Sequence, residues 1–287
     1  MKFEAGYFRS RDGQDLFFRH WRPEQTGVGT FLVLHGLGEH SGRYSEFAAS
    51  AVERGFEVYA MDHRGHGRSG GKRGHVERFE QFVEDIRTFW LRFGSESEAA
   101  TFLVGQSLGA LIGLHYAHRY AEDLAGTVFC SGAFGLPERL PRFKVALGRF
   151  LRRFAPALTL SSNLDTECIS ADKEVIDEYL DDPYVHDRVS LSFFFEFEKA
   201  IQAAPQIADD LKLPALFLVG TEDCLVPLEG NRKLYERWSG PKEWKALEGQ
   251  KHDLFHGTAA QATFDAILSW CQQITRPATE PAEERAE

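Results

Sequence analysis

The chain has 287 residues, 43% hydrophobic and 26% charged, with 33 Lys and Arg against 43 Asp and Glu for a net charge of −10. That balance fits a globular protein with a sizeable core, and the acidic excess argues against a general nucleic-acid-binding role, which needs clustered Lys and Arg. No apolar run approaches the roughly 20 residues of a membrane-spanning helix, and the opening MKFEAGYFRSRDG lacks the apolar stretch of a signal peptide.

Taken in chain order, KFEAGYF (2–8) and QDLFFRHW (14–21) flank Ser-Arg-Asp-Gly and read as a β-hairpin. TFLVLHG (30–36) is an unbroken apolar run, the pattern of a strand buried on both faces. A helical stretch (41–53), a strand FEVYAMD (56–62) and a helix over 76–93 follow; the helix carries Val76, Phe79, Phe82, Val83, Ile86, Phe89 and Trp90 at helical spacing. The strand TFLVGQS runs into another helix after residue 107. TVFCSGAF (127–134), PALFLVG (214–220) and WKAL (244–247) read as further strands, and 258–274 as a closing helix.

Alternating strands and helices imply an α/β fold, a mostly parallel sheet with helices on both faces, entered through an antiparallel hairpin. The rhythm breaks over 135–207, which is too long for a loop in a compact domain and is expected to be a helical cap. The core is then 1–134 with 208–275. Residues 276–287, Pro-, Ala- and Glu-rich without periodicity, are expected to be a disordered acidic tail.

Gly105-Gln106-Ser107-Leu108-Gly109 lies directly after a buried strand and before a helix, the context of a nucleophile elbow. Glycines two positions either side of Ser107 relieve collisions in so tight a bend. A serine hydroxyl needs a base, and the base an orienting acid. Asp223 follows the strand 214–220 and His252 precedes the last helix, both at the sheet edge where such folds place their sites. Glu222 competes with Asp223, and His256 with His252. His115 and His118 read as ordinary helix residues. The amide of Leu108, and that of Leu37 in the glycine loop HGLGEH, are the candidate oxyanion donors. His63, His66 and His75 lack carboxylate or cysteine companions and make a poor metal site. The cysteines Cys130, Cys168, Cys224 and Cys271 form no C-x-x-C pair, which predicts no disulfide framework and a reducing, cytoplasmic setting.

HGLGEHSGRY (35–44), MDHRGHGRSGGKRGHV (61–76), GQSLGA (105–110), EYLDDPYVHDRVS (178–190), GTEDCLVP (220–227) and KHDL (251–254) together resemble the monoacylglycerol lipase and lysophospholipase group of the α/β-hydrolases. The likeness runs from about residue 3 to 275. It implies the α/β-hydrolase fold and a serine esterase with triad Ser107, Asp223 and His252 and oxyanion donors Leu37 and Leu108. It implies no metal or organic cofactor, and a lid over an acyl-chain pocket. It also places Glu39, His40 and Arg43 near the polar end of the site, and gives the Arg64–Ser69 loop a structural role. Gln106 and Ala110 depart from the group's usual His and Gly.

In the cap, PRFKVALGRFLRRFA (141–155) sets Phe143, Leu147, Phe150, Leu151 and Phe154 on one stripe beside Arg142, Lys144, Arg149, Arg152 and Arg153. Such a helix either lies on an anionic membrane surface or packs its stripe on the body of the protein. Phe193 and Phe194 in LSFFFEFEKA are candidate pocket residues, with cap core as the alternative reading of those phenylalanines. The expected reaction is hydrolysis of a lipid ester, monoacylglycerol above all. Lysophospholipase, short-chain carboxylesterase, acyltransferase and a non-catalytic ligand-binding fold are the alternatives. Acyl length, head group and oligomeric state stay open.

Overall fold

A computed structural model describes residues 1–24, 27–94, 99–135 and 141–275. In chain order the elements are β1 (Lys2–Arg9), β2 (Asp15–Arg22), β3 (Gly29–Leu34), α1 (Ser45–Glu53), β4 (Phe56–Met61), α2 (Glu80–Phe93), β5 (Thr101–Gln106), α3 (Leu108–Arg119) and β6 (Gly126–Cys130). Then come α4 (Arg142–Arg152), β7 (Thr159–Ser161), α5 (Lys173–Asp181), β8 (Arg188–Ser190), α6 (Leu191–Asp210), β9 (Ala215–Gly220), α7 (Leu228–Arg237), β10 (Lys242–Leu247) and α8 (Ala260–Thr275).

Eight strands form one sheet in the order β1-β2-β4-β3-β5-β6-β9-β10. Only the β1–β2 and β2–β4 pairings are antiparallel; the others are parallel. Every residue of β3, β5, β6 and β9 is buried, because helices cover both faces, and this is why those strands read as unbroken apolar runs. On one face Phe82, Ile86, Leu111, Leu114 and Phe193 join a core with Leu32, Leu103 and Phe217. On the other, Phe47, Phe264 and Ile267 pack on Phe31, Val104 and Leu218. Burying each such Phe or Leu contributes about 1.5–3 kcal/mol.

The expected helix over 76–93 begins later, at Glu80. The Gln81 Oε1 accepts the amides of Glu77 (3.0 Å) and Arg78 (3.1 Å) and holds the preceding residues in a turn, although Val76 and Phe79 are still buried. The Arg64–Ser69 loop is a structural turn. Arg64 donates Nε and Nη2 to Asp85, each at 2.6 Å, and Nη1 to Asp12 at 2.7 Å. Gly65 (φ +72°) adopts a conformation that favours glycine.

The insertion is mostly helical but also contains the short antiparallel pair β7–β8, three residues per strand, too brief to leave a period-two signal. α6 packs along α3 and α7. His63 and His66 are buried and kept neutral, His63 with its pKa pushed down by burial to about 4. His75 bonds Ser190 Oγ at 2.9 Å. Among the described residues no helix is long and apolar enough to cross a membrane.

One expectation is overturned. Cys168 and Cys224, 56 residues apart, form a disulfide with their Cα atoms 5.4 Å apart, while Cys130 and Cys271 stay free and buried. Spacing along the chain could not foresee a bond made by the docking of the insertion on the loop after β9. The cysteine pattern therefore gives no argument for a reducing compartment.

Candidate active site

β5 ends at Gln106, and Ser107 turns the chain into α3 with φ +54° and ψ −114°. The turn is tied down from both sides. The Ser107 amide donates to Cys130 O at 3.0 Å, and the Ser107 carbonyl accepts from Ala110 and Ala133 at 3.1 Å each. A Cβ on Gly105 would meet Gly109 O at 2.5 Å, and one on Gly109 would overlap the carbonyl of Leu34 in β3. The glycines thus let the bend close on itself and let α3 approach the neighbouring strand.

A cavity of about 140 Å³ opens over this bend, lined by Ser107, Leu108, Leu37, His252 and Glu39 with apolar walls that include Leu164, Ile169 and Phe197. Leu108 opens α3, where the first amides have no intrahelical acceptor. His252 Nδ1 bonds Asp223 Oδ2 at 2.8 Å, and both side chains are buried. Asp223 Oδ1 accepts the amides of Leu225 (2.9 Å) and Val226 (3.0 Å), so the carboxylate has one fixed orientation. Burial pushes the His252 pKa down, but the field and hydrogen bond of Asp223, aided by Asp253 and Glu39, outweigh it and raise the pKa above 6.5.

The competitors are separated by this geometry. Glu222 is exposed. Both ring nitrogens of His256 are taken, Nδ1 by Asp253 at 2.8 Å and Nε2 by Arg43 O at 2.7 Å. His115 Nε2 bonds Ala200 O at 3.1 Å, a helix-packing contact.

Of the polar residues expected near the site, Glu39 lines the cavity, where its Oε1 accepts the Gly36 amide (2.6 Å) and the Tyr44 hydroxyl (2.9 Å). It thereby braces the loop that presents Leu37. Arg43 sits behind the wall, pairing with Glu39 (3.3 Å) and Asp253 (3.2 Å), its guanidinium over the Tyr179 ring at 5.1 Å. His40 points away and joins Asp182 of the insertion at 2.8 Å. Phe193 and Phe194 are not among the lining residues. Phe193 packs on Phe82 and stacks on Phe197, one turn along α6, and Phe197 is the ring that reaches the cavity.

Two residues, Asp253 and Tyr179, and one contact of Gln106 went unread in the sequence. Asp253 lines the cavity, its carboxyl disfavoured as an anion by burial yet held well below the usual carboxylate range by His256 and Arg43. Tyr179 comes from the insertion. Gln106 donates Nε2 to the His252 carbonyl at 2.8 Å. The KHDL tetrapeptide already held the signal for Asp253; nothing local marked the other two contacts. Among the described residues no three His, Cys, Asp or Glu side chains gather as metal ligands.

Residues 26–259 match the Hydrolase_4 family, described as "Serine aminopeptidase, S33". The chain is similar to a monoacylglycerol lipase of Mycolicibacterium smegmatis, 32% identical over 92% of this chain and 95% of the relative. It is likewise similar to the monoglyceride lipase of Homo sapiens, 33% identical over 93% and 90%. The crystal structure of the monoacylglycerol lipase of Paleococcus ferrophilus superposes with a TM-score of 0.78 at 34% identity, covering 96% of this chain and 100% of the other.

Proposed function

The chain belongs to the Hydrolase_4 family of α/β-hydrolases, and from that premise we propose that it hydrolyses lipid esters, monoacylglycerol foremost, through an acyl-enzyme on Ser107. In this reading His252 Nε2 takes the proton of Ser107 Oγ as the oxygen attacks the ester carbonyl, and Asp223 holds the imidazole by its Nδ1–H. The amides of Leu37 and Leu108 receive the oxyanion. Water activated by the same histidine then releases the fatty acid. The observation that carries the reading is the 2.8 Å contact of Asp223 with His252, which borders the same cavity as Ser107.

The cavity walls suit an acyl chain better than a peptide. Glu39 and Asp253, the carboxylates on its wall, are both engaged by Arg43, so neither is open to anchor an amino terminus. The test is a fluorophosphonate probe followed by peptide mapping, together with product analysis on monoacylglycerols, lysophospholipids and short esters. Labelling of a residue other than Ser107, or of none, sinks the reading. Ester exchange onto added alcohol in place of hydrolysis would move it to acyltransferase.

Gln106 is expected to act through His252. Gln106→Leu keeps the volume, removes the donor and leaves a buried carbonyl unpaired, at about 1–3 kcal/mol. The expected result is a roughly tenfold lower kcat with KM nearly unchanged, measured on a soluble short ester. A change in KM alone would assign Gln106 to substrate contact.

The residues 135–207 act in this reading as a cap that meets the lipid surface through α4. That helix meets α6 along the side that carries Arg149 and Arg152. Arg149 and Arg152 lie over the Phe195 ring at 5.6 and 5.8 Å, and Arg152 pairs with Glu196 at 2.6 Å. Its apolar stripe faces solvent, with Phe143 70%, Leu147 55%, Phe150 57% and Phe154 75% exposed. That exposure favours the membrane-surface alternative over packing of the stripe on the body. A solvent-facing aromatic row beside Lys144 and Arg153 matches an anionic bilayer. Phe143, Phe150 and Phe154 changed together to Ser are expected to cut co-sedimentation with phosphatidylglycerol-containing vesicles at least tenfold, at about 1.5 kcal/mol or more per ring. Unaltered sedimentation would refute the docking role.

A further inference from the structure

The cap is locked to the acid loop at one point. Cys168 closes the 3₁₀ turn Thr166–Cys168, and Cys224 follows Asp223 directly. Ile169, next to Cys168, and Leu164, four residues before it, line the cavity. Two backbone hydrogen bonds accompany the disulfide: the His252 amide donates to Cys168 O at 3.2 Å and the Asp253 amide to Ile169 O at 2.8 Å. One short cap segment therefore forms a pocket wall and touches both loops that carry the acid and the base.

We propose that the Cys168–Cys224 disulfide is a reducible clasp that sets which acyl chains the site accepts, a role that rests on the ester-hydrolase reading. The cavity of about 140 Å³ is smaller than the roughly 300–1,000 Å³ of sites that enclose drug-sized ligands. A long acyl chain must displace a wall, and the clasp holds the wall formed by Leu164 and Ile169. Reduction leaves that segment on those two backbone hydrogen bonds and on Lys251 Nζ, which donates to Glu167 O at 2.5 Å. It does not release the triad, because Asp223 keeps the amides of Leu225 and Val226 and its bond to His252. The effect falls on the acyl pocket and spares the chemistry.

The exchange is open to a dithiol reductant. Cys224 is exposed and Cys168 buried, so a thiolate of the dithiol attacks Cys224 Sγ. The Sγ–Sγ bond breaks and Cys168 leaves as a thiolate that takes a proton. The second thiol of the reductant, as its thiolate, attacks the mixed disulfide and releases Cys224, which takes the other proton. The protein pair gains two electrons and two protons, and the dithiol becomes a disulfide.

The experiment compares the oxidised full-length chain with the same chain treated with dithiothreitol and with the double variant Cys168→Ser, Cys224→Ser. Iodoacetamide mapping reports the state of each cysteine. The expected result is at least about a tenfold rise in kcat/KM for palmitoylglycerol and less than about a twofold change for p-nitrophenyl butyrate. The double variant reproduces the reduced profile and ignores dithiothreitol. Hydrogen exchange over 164–170 rises on reduction. Parallel changes on both esters, no change on either, or resistance of the native disulfide to dithiothreitol would overturn the proposal. If neither ester is turned over, the ester-hydrolase reading fails, and with it the acyl-selectivity role, whereas a redox-insensitive enzyme active on esters fails only the clasp.

Discussion

Ser107→Ala is expected to lower kcat on esters by about 10⁴- to 10⁶-fold while leaving the fold intact, since the alanine removes one oxygen from a bend held by backbone bonds. Residual turnover above that range would place the nucleophile elsewhere. Ser107→Gly separates chemistry from strain. The native φ of +54° with ψ −114° is a sparsely populated conformation for a residue with a Cβ, costing about 1–3 kcal/mol. Glycine relieves it, less about 0.5–1 kcal/mol for the greater freedom of the unfolded chain. The glycine variant should be inactive yet melt roughly 2–4 °C higher for each kcal/mol gained, as calorimetry would record. A lower melting temperature would show that the elbow is not strained at Ser107.

Asp223→Asn is the second large effect, with kcat lower by about 10⁴-fold, because the amide leaves the imidazole without its counter-charge and favours the wrong tautomer. Its pH profile carries the sharper test. On the proposed mechanism activity needs neutral His252, so the rising limb of kcat/KM is expected to follow the His252 pKa, which stands above 6.5 in the native site. In the Asn variant only the weaker fields of Asp253 and Glu39 oppose burial, and the limb should move to lower pH as the plateau falls. The sign for stability follows from the same raised pKa. The ion pair stabilises the fold fully below pH 6.5, and that contribution is lost as pH rises through the folded-state pKa. A limb at the same pH in both proteins would mean that Asp223 does not set the charge on His252.

Local pattern carried much of this. The buried runs 30–36, 101–107 and 214–220 could be read as strands because each is covered on both faces, and the glycines at 105 and 109 because a bend leaves no room for a Cβ. The order Ser107, Asp223, His252 follows from where strands end. What depended on packing was read less well. Phe193 and Phe197 share one stripe, and only the seating of α6 on α2 and α3 decides which ring fills the core and which meets the cavity.

By itself, then, the sequence determined the α/β alternation, the elbow and the two loops that carry the proposed acid and base, since these rest on contacts within a few residues and on the burial period of single elements. Only the tertiary structure favours Asp223 over Glu222 and His252 over His256, through burial and occupied ring nitrogens. It alone turned the apolar stripe of α4 outward, placed Gln106 on the His252 carbonyl and joined Cys168 to Cys224. Each of these depends on how segments far apart in the chain meet, core loop against core loop or insertion against sheet edge, and such docking leaves no mark on the local order of residues.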